Sequence, residues 1–258
     1  MTNSFKNRMI SGEQMNGCFI NLFSPAVTEI VSQAGYDALL IDLEHGPGDY
    51  MDAITHMQSM AGSSATPLIR VVDSHSSTIK KAMDIGPHGI MVPNIRNADE
   101  ARHVVEASRY PPKGFRGAAP PVVRGSMYGI SLDDYFRFLE EDFLTIVQIE
   151  SMEAVEDLEN ICDVEGIDMI FIGPTDLSGS LGRMGDYDSE EFKQVFERIE
   201  KVTLEKGKLL GTIPFPNWST ERLFQNGHHL VLCGFDAVMV RDSALSNVKE
   251  ARKAANRN

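Results

Sequence analysis

The chain has 258 residues, of which 42% are hydrophobic and 24% are charged, and its formal net charge at pH 7 is −13. This size and composition are ordinary for a globular protein with a substantial core. The acidic balance argues against nucleic acid or an anionic membrane as a partner, because both require a basic face. No apolar run approaches the roughly 18 residues that a membrane-spanning helix needs.

Two features of the sequence favour the cytoplasm. The three cysteines, Cys18, Cys162 and Cys233, lie far apart and lack CxxC spacing, which is typical of reduced thiols in a protein core. The amino-terminal segment MTNSFKNRMISGEQMNG lacks the apolar stretch of a secretory signal peptide. We therefore predict a cytoplasmic protein.

Short apolar segments alternate with longer amphipathic segments along the chain. The apolar segments are typical of buried parallel strands, and the amphipathic segments have helical spacing. Eight such strands in about 250 residues predict a single-domain (β/α)8 TIM barrel over residues 1–258. An open doubly wound sheet is the alternative, but no glycine-rich phosphate motif follows the first strand. The predicted strands are 17–23, 37–41, 67–71, 89–93, 144–149, 168–172, 209–213 and 230–233, and the predicted helices are 25–34, 50–60, 76–85, 98–108 and 190–206.

One segment departs from this alternation. Residues 109–129, RYPPKGFRGAAPPVVRGSMYG, separate the fourth predicted helix from the fifth strand and are rich in glycine, proline and arginine. A long loop inside a compact domain usually has a function or is disordered. We expect this loop to have a function.

Polar side chains recur at the carboxyl ends of the predicted strands. In a barrel these ends form the face on which the loops build the active site. The segment LLIDLEHGPGD (39–49) thus delivers two carboxylates and an imidazole to the same face as several other strands. The residues are Asp42, Glu44 and His45 after the second strand, Arg70 at the end of the third, Gln148 and Glu150 after the fifth, and Asp176 after the sixth.

His45 and Arg70 each have a functional and a structural interpretation. A lone histidine is more often a satisfied core or cap residue than a catalyst, but His45 follows an apolar strand and lies beside acids that favour a general base. Arg70 lies within the apolar strand PLIRV, and a buried arginine must be paired. A structural ion pair and an anion clamp are equally good interpretations of Arg70.

Glu150 and Asp176 end neighbouring strands, so their carboxylates are expected to converge. Two such groups in a confined space repel each other unless a cation or a shared proton intervenes. A site with oxygen ligands and room for water suits Mg²⁺ or Mn²⁺ better than a closed zinc site. The alternative for Asp176 is a helix cap.

Two other catalytic classes find little support. A Schiff-base enzyme needs a lysine at the carboxyl end of a strand, and Lys208 adjoins a strand at its amino end. Serine hydrolases of the α/β type carry a GxSxG elbow, which the sequence lacks.

Five separate motifs resemble the HpcH/HpaI aldolase family, the metal-dependent class II pyruvate aldolases. The motifs are IDLEHGPGD, PLIRV, RYPPKGFRG, VQIES and FIGPTDLSGSLG, and the resemblance runs from about residue 16 to about residue 240. It implies a (β/α)8 barrel that reversibly cleaves a 4-hydroxy-2-oxo acid to pyruvate, or a close relative, and an aldehyde. It also implies a divalent cation, with Mg²⁺ or Mn²⁺ preferred over Co²⁺ or Zn²⁺, and a hexamer built as a trimer of dimers with an exchanged C-terminal helix.

The resemblance assigns a role to each matching residue. Glu150 and Asp176 match the metal ligands, His45 the catalytic base, and Arg70 the residue that stabilises the enolate. Asp42 stands where the family has an acid near the base, and Asp84 matches a second acid credited with raising the basicity of the base. The groups that match the binding site for the pyruvate carboxylate and keto oxygen are Gln148 and the turn from Gly173 to Asp176, including the backbone of Thr175.

The chain departs from the family pattern in two places, GPHG at 86–89 and AAPPVVRGSMYG at 118–129. The second lies in a loop that helps to choose the aldehyde in the family, so the identity of the aldehyde is left open. Related barrels act on acyl-CoA substrates or decarboxylate oxaloacetate, and a CoA site would draw on Lys113, Arg116 and Arg124. A barrel that binds an oxo acid without turning it over is a further alternative, although such a protein would not need a base.

Overall fold

The computed structural model describes residues 4–255. Eight parallel strands form a closed barrel in the order in which they occur in the chain, and the last strand pairs with the first. The predicted (β/α)8 barrel is therefore confirmed, and the open doubly wound sheet is wrong because the sheet closes on itself. The strands are β1 (Met15–Ile20), β2 (Ala38–Asp42), β3 (Thr66–Arg70), β4 (Gly89–Val92), β5 (Leu144–Ile149), β6 (Met169–Ile172), β7 (Leu209–Thr212) and β8 (Leu230–Phe235).

Helices surround the barrel, and the five that the sequence predicts lie within two residues of their expected bounds. The helix that the sequence predicts at 190–206 is capped by Ser189, whose side chain accepts a hydrogen bond from the backbone N–H of Phe192. The helices are α1 (Phe5–Ile10), α2 (Pro25–Ser32), α3 (Tyr50–Ser59), α4 (Ser76–Ile85), α5 (Ala98–Ser108), α6 (Leu132–Glu141), α7 (Met152–Glu156), α8 (Leu158–Asp163), α9 (Pro174–Ser180), α10 (Glu190–Glu205), α11 (Thr220–Gln225) and α12 (Asp236–Ala254), with short 3-10 helices at Pro120–Val122 and Arg124–Gly129.

Two apolar layers explain why the strands are almost continuously hydrophobic. Residues such as Leu40 and Met91 fill the interior of the barrel, while Ile41 and Val92 face the surrounding helices. Successive residues of a strand point to opposite sides, and here both sides are buried. Helix α1, which the sequence did not predict, packs into the interior layer and closes the amino end of the barrel.

The 109–129 loop lies at the amino end of the barrel. Helix α4 starts beyond the carboxyl end of β3 and finishes just before the amino end of β4. Arg124 donates a hydrogen bond to the carbonyl of Ile85, the last residue of α4, over 2.8 Å. Within one chain the loop therefore lies away from the carboxyl ends of the strands. It does not flank the active site of its own chain, although the resemblance places this loop beside the site.

Helix α12 leaves the barrel instead of covering it. Residues 238–255 are all exposed, and Asp236 is the buried residue of the helix. The exposed apolar side chains include Val240, Leu245 and Val248. Among the described residues, no helix is long and apolar enough to cross a membrane.

Candidate active site

Asp42 and Arg70 form a buried pair at the carboxyl ends of β2 and β3. The two residues are register partners in the sheet, which brings their side chains side by side. Arg70 donates from Nε to Asp42 Oδ1 over 2.8 Å and from Nη2 to Asp42 Oδ2 over 2.7 Å. This bidentate geometry is the strongest form of a charge-assisted hydrogen bond. The pair fixes the orientation of the guanidinium and uses its Nε and Nη2 groups, so Nη1 remains available for other contacts.

Further contacts hold the guanidinium of Arg70. Its Nη1 lies 3.0 Å from Glu44 Oε2, and its carbon lies 5.0 Å from the centre of the Phe19 ring. Burial lowers the pKa of Arg70, but hydrogen bonding to Asp42 and the charges of Asp42 and Glu44 outweigh burial and raise it. Arg70 is thus a fixed cation in a site that is largely shielded from water.

The side chain of Asp42 does not contact the ring of His45. Its Oδ1 accepts the backbone N–H groups of Glu44 and His45, over 3.1 Å and 3.4 Å, while the ring of His45 is 66% exposed. The nearest acid to the ring is Glu44, whose Oε2 lies 3.8 Å from His45 Nε2. Asp42, which matches an acid near the base in the family, therefore orients Arg70 and the backbone of the turn and makes no contact with the imidazole.

The break at Gly46-Pro47-Gly48 has a steric cause. Both glycines pack against the ring of Phe23, and a Cβ at either position would overlap ring carbons. Phe23 itself packs edge-on against the buried His56, with ring centres 4.9 Å apart. The glycines thus allow the turn that carries His45 to lie flat against a fixed aromatic ring.

A second buried group lies at the ends of β5 and β6. Glu150 Oε1 accepts the backbone N–H of Asn94 over 2.7 Å, and its Oε2 accepts from the side-chain amide of Gln148. The side-chain oxygen of Gln148 is buried without a hydrogen-bond partner. A Cβ at Gly173 would overlap Glu150 Oε2 and lie 2.8 Å from Gln148 Nε2, so glycine keeps this space open.

Thr175 and Asp176 lie in the first turn of α9 and are exposed. Thr175 Oγ1 lies 3.2 Å from the hydroxyl of Tyr187. The helix cap is Gly173 with no side-chain cap bond, so the structure does not use Asp176 as a cap. Burial raises the pKa of Glu150 to about 7, and the charges of Asp176 and Glu44 add to the rise against a hydrogen bond from Asn94.

These residues fit a small divalent cation with few protein ligands. Among residues 4–255 no group of three or more His, Cys, Asp or Glu side chains could hold a metal. Mg²⁺ binds through one or two carboxylates and keeps its other positions for water or substrate. Glu150, Asp176, the spare oxygen of Gln148 and the space beside Gly173 match that requirement.

Asp84 is the predicted site residue that the structure does not bring to the others within one chain. It lies in the last turn of α4, at the amino end of the barrel, and accepts a hydrogen bond from Arg116 Nη2 over 2.7 Å. Within one protomer Asp84 lies on the opposite face from His45, because a helix that follows a strand returns to the other end of the barrel. Only a neighbouring copy could bring an Asp84 to His45.

The sequence did not identify Asn21 or Phe19 as part of the site, and it did not pair Glu44 with Arg70. Asn21 follows β1 and donates from Nδ2 to Asp42 Oδ2 over 2.7 Å. Phe19 lies under the guanidinium, and Glu44 pairs with it. Asn21 could have been found, because it is the first polar residue after a strand that ends on the same face.

Comparisons with known proteins identify the family to which the chain belongs. The family model of HpcH/HpaI aldolase/citrate lyase matches residues 15–243. The chain is 35% identical over 243 residues to the 2-keto-3-deoxy-L-rhamnonate aldolase of Escherichia coli O17:K52:H18 (strain UMN026 / ExPEC), covering 94% of this chain and 91% of the relative.

Solved structures of similar proteins have the same fold. A HpcH/HpaI aldolase/citrate lyase family protein from Burkholderia cenocepacia J2315 superposes with a TM-score of 0.91 at 30% identity, over 97% of this chain and all (100%) of that one. The citrate synthase SbnG superposes with a TM-score of 0.88 at 26% identity, over 98% and 99% of the two chains. The chain therefore belongs to the HpcH/HpaI aldolase/citrate lyase family and is a carbon–carbon lyase.

Proposed function

We propose that the protein is a divalent-metal-dependent aldolase that reversibly cleaves a 4-hydroxy-2-oxo acid to pyruvate and an aldehyde. The observation that carries the proposal is the position of Arg70, a buried cation held by Asp42 and Glu44 on the face that also holds Glu150. Such a cation stabilises negative charge that develops on a keto oxygen. Membership of an aldolase family makes the enolate of pyruvate the natural charge to stabilise.

The pyruvate part of the substrate would bind between the two buried groups. Glu150 and Asp176 would hold the cation, preferably Mg²⁺ or Mn²⁺, with Co²⁺ or Zn²⁺ as alternatives. When bound, such a cation supplies Lewis acidity that polarises the keto group. The Nη1 edge of Arg70 donates to the keto oxygen, while the Nε2 amide of Gln148 and the backbone N–H of Thr175, in the turn that begins at Gly173, donate to the carboxylate.

His45 would act as the base for cleavage. Its ring lies at the exposed rim of the site, beside the buried groups, where the aldehyde portion of a longer oxo acid would extend. His45 removes the proton of the C4 hydroxyl, the C4 oxygen forms the carbonyl, and the C3–C4 bond breaks. The bonding electrons pass into the enolate of pyruvate, which is protonated at C3, and the aldehyde leaves.

The aldehyde is expected to be short and hydroxylated. The relatives in Escherichia coli are named for 2-keto-3-deoxy-L-rhamnonate, whose retro-aldol products are pyruvate and lactaldehyde. Succinic semialdehyde and tartronate semialdehyde are the other acceptors to compare. Each is reached by the same bond cleavage, so a substrate panel distinguishes them.

A citrate-forming or decarboxylating enzyme is the second candidate, supported by the likeness to SbnG. Oxaloacetate decarboxylation yields the same enolate, so we expect it as a side activity. An acyl-CoA substrate is less well supported, because the basic residues that it would use are engaged at the amino end. Lys113 pairs with Glu140, Arg116 is buried beside Asp84, and Arg124 donates to a backbone carbonyl.

We further propose the hexamer with an exchanged α12. The helix exposes apolar side chains along its length, and Cys233 on β8 is also exposed where a barrel helix would normally cover the strand. Docking α12 on a second copy would cover both surfaces. The same assembly would give Asp84 and the 109–129 loop a route to the active site of a neighbour, and sedimentation of the full chain measures it.

The test of the proposed function is pyruvate release from a panel of 4-hydroxy-2-oxo acids with Mg²⁺, Mn²⁺ or EDTA. We expect release that depends on the cation and is sharply lower in His45→Ala. The matched control is His75→Ala, since His75 is also exposed beside an acid, with Nδ1 3.1 Å from Asp73 Oδ2, and should be dispensable. No release from any substrate, with oxaloacetate decarboxylation intact, would favour the second candidate.

A further inference from the structure

Asp42 is wholly buried, and both of its oxygens are occupied. Oδ1 accepts from Arg70 Nε and from two backbone N–H groups of its own turn. Oδ2 accepts from Arg70 Nη2 over 2.7 Å and from Asn21 Nδ2 over 2.7 Å. Asn21 is therefore the side chain besides Arg70 that determines where this second oxygen lies.

Asn21 is itself fixed at its backbone. Asp236 Oδ1 accepts the N–H of Asn21 over 2.8 Å, and Asp236 Oδ2 accepts the N–H of Leu22 over 3.1 Å. Asp236 is buried at the start of α12, so the end of β1 is tied to the start of that helix. The preceding residue, Phe235, stacks on Phe19 with ring centres 4.8 Å apart.

Two sets of contacts thus connect Arg70 to the junction of β8 and α12. One is the stack of Phe235 and Phe19 under the face of the guanidinium. The other is a set of hydrogen bonds in which Asn21 donates to both Asp236 and Asp42, and Arg70 donates to Asp42. A donor that stabilises a transition state must be held within about half an ångström of its productive position.

We propose that Asn21 is a positioning residue for Arg70, which acts by fixing the carboxylate of Asp42. The proposal rests on the proposed function, in which Arg70 stabilises the enolate. Without the amide of Asn21, Oδ2 keeps a single donor, and the Asp42–Arg70 pair is free to tilt as a unit. The loss should appear in the chemical step, because the pair itself remains intact.

The chain contains a closely matched control at the other end of the same strand. Asn16 donates from Nδ2 to Asp37 Oδ2 over 3.0 Å, and both asparagines are half-buried on β1 or directly after it. Each thus supports an aspartate adjoining β2. Only Asn21 lies on the face that carries Arg70, so Asn16→Leu removes the same kind of bond without touching the site.

The experiment compares Asn21→Leu with Asn16→Leu, alone and in an Arg70→Ala background. We expect Asn21→Leu to lower kcat for pyruvate release about tenfold to a hundredfold, as is usual for residues that support a reactive group, with little change in KM. Asn16→Leu should keep the wild-type kcat. In the Arg70→Ala background Asn21→Leu should cause no further loss, whereas a merely structural role would add to it.

A binding measurement separates failure of this inference from failure of the proposed function. Oxalate, a planar dianion that resembles the enolate, is titrated calorimetrically into each variant with Mg²⁺ present. We expect weaker binding in Arg70→Ala and Asn21→Leu, unchanged binding in Asn16→Leu, and similar Tm values for the two asparagine variants.

If Asn21→Leu matches the wild type in kcat and oxalate affinity, the inference is overturned. If the wild type releases no pyruvate but oxalate binding depends on both residues, the proposed function fails and the positioning role stands. If Asn21→Leu does not fold, Asn21→Ala takes its place.

Discussion

The two ends of the barrel use similar residues in different ways. At the amino end, helix α1 closes the interior, Lys6 pairs with Asp168 over 2.7 Å and also donates to the carbonyl of Phe143. At the carboxyl end none of the helices within residues 4–255 closes the barrel, and Gln148 keeps a buried oxygen without a partner. The charged groups at the amino end pair with one another where the barrel is closed, whereas those at the carboxyl end border the open face on which we propose that the substrate binds.

This difference shows why ion pairs alone do not identify a site. Arg116 and Asp84 are as close as Arg70 and Asp42, at 2.7 Å each. What distinguishes Arg70 is that three further acids, Glu44, Glu150 and Asp176, act on the same site: burial raises the pKa of Glu150 to about 7, and the charges of Asp176 and Glu44 add to the rise. A cluster of acids beside one fixed arginine is costly unless something else binds there.

The largest effect is expected from Glu150→Gln, which removes one of the two carboxylates that would hold the cation. Losing Lewis acid catalysis costs several kcal/mol, so pyruvate release should fall on the order of a thousandfold. Titration with Mn²⁺ should show weaker binding in the same variant. The control is Glu153→Gln in the first turn of α7, which should bind Mn²⁺ and turn over like the wild type. Equal Mn²⁺ affinity in the two variants would remove Glu150 from the metal site.

The second effect contrasts the buried cation Arg70 at the carboxyl end with the partly buried cation Lys6 at the amino end. Arg70→Ala should lower kcat about a hundredfold, or about 3 kcal/mol, because it removes a donor to the enolate. Lys6→Met should lower the free energy of unfolding by about 1 kcal/mol and leave kcat unchanged. Turnover and thermal unfolding of both variants test the contrast. Nearly full turnover in Arg70→Ala would exclude it from the mechanism.

A smaller effect is expected where the His45 turn packs on Phe23. In Gly48→Ala the new Cβ would overlap the ring, so the turn must shift at a cost of about 1–3 kcal/mol in stability, and kcat should fall with it. Gly117→Ala is the control, since its Cβ would lie at an ordinary 3.5 Å from Lys80 Cδ. Wild-type turnover in Gly48→Ala would show that the turn does not need this packing.

The smallest effect concerns pH and the buried His56 beneath Phe23. Burial lowers the pKa of His56 from its ordinary value of 6.5, against the charges of Asp52 and Asp236. The unfolded chain therefore binds a proton at this residue more readily, and stability should fall as the pH drops below about 6.5. Chemical denaturation at pH 7.5 and 5.5 measures the loss, which should shrink in His56→Gln. An unchanged loss in that variant would assign the pH dependence to other groups.

The barrel and the chemical nature of the site could be predicted from the sequence. Eight near-continuous apolar segments separated by amphipathic ones leave few other arrangements, because both faces of each strand must be buried. Asp42, Arg70 and Glu150 stand at carboxyl ends of strands, and parallel strands deliver their ends to one face. The local sequence pattern was therefore enough to predict the barrel and the face on which these residues lie.

Only the tertiary structure decided which of these residues meet. Asp42 contacts Arg70 and the backbone of the His45 turn because β2 and β3 pair in a register that sets Asp42 beside Arg70. Asp84 and the 109–129 loop lie at the amino end because a helix reverses the direction of the strand before it. Asn21 reaches Asp42 because β1 pairs with β2, and Asp236 reaches Asn21 because closure of the barrel brings β8 beside β1. Strand spacing along the chain specifies the face on which a residue lies, but register and closure specify its neighbours.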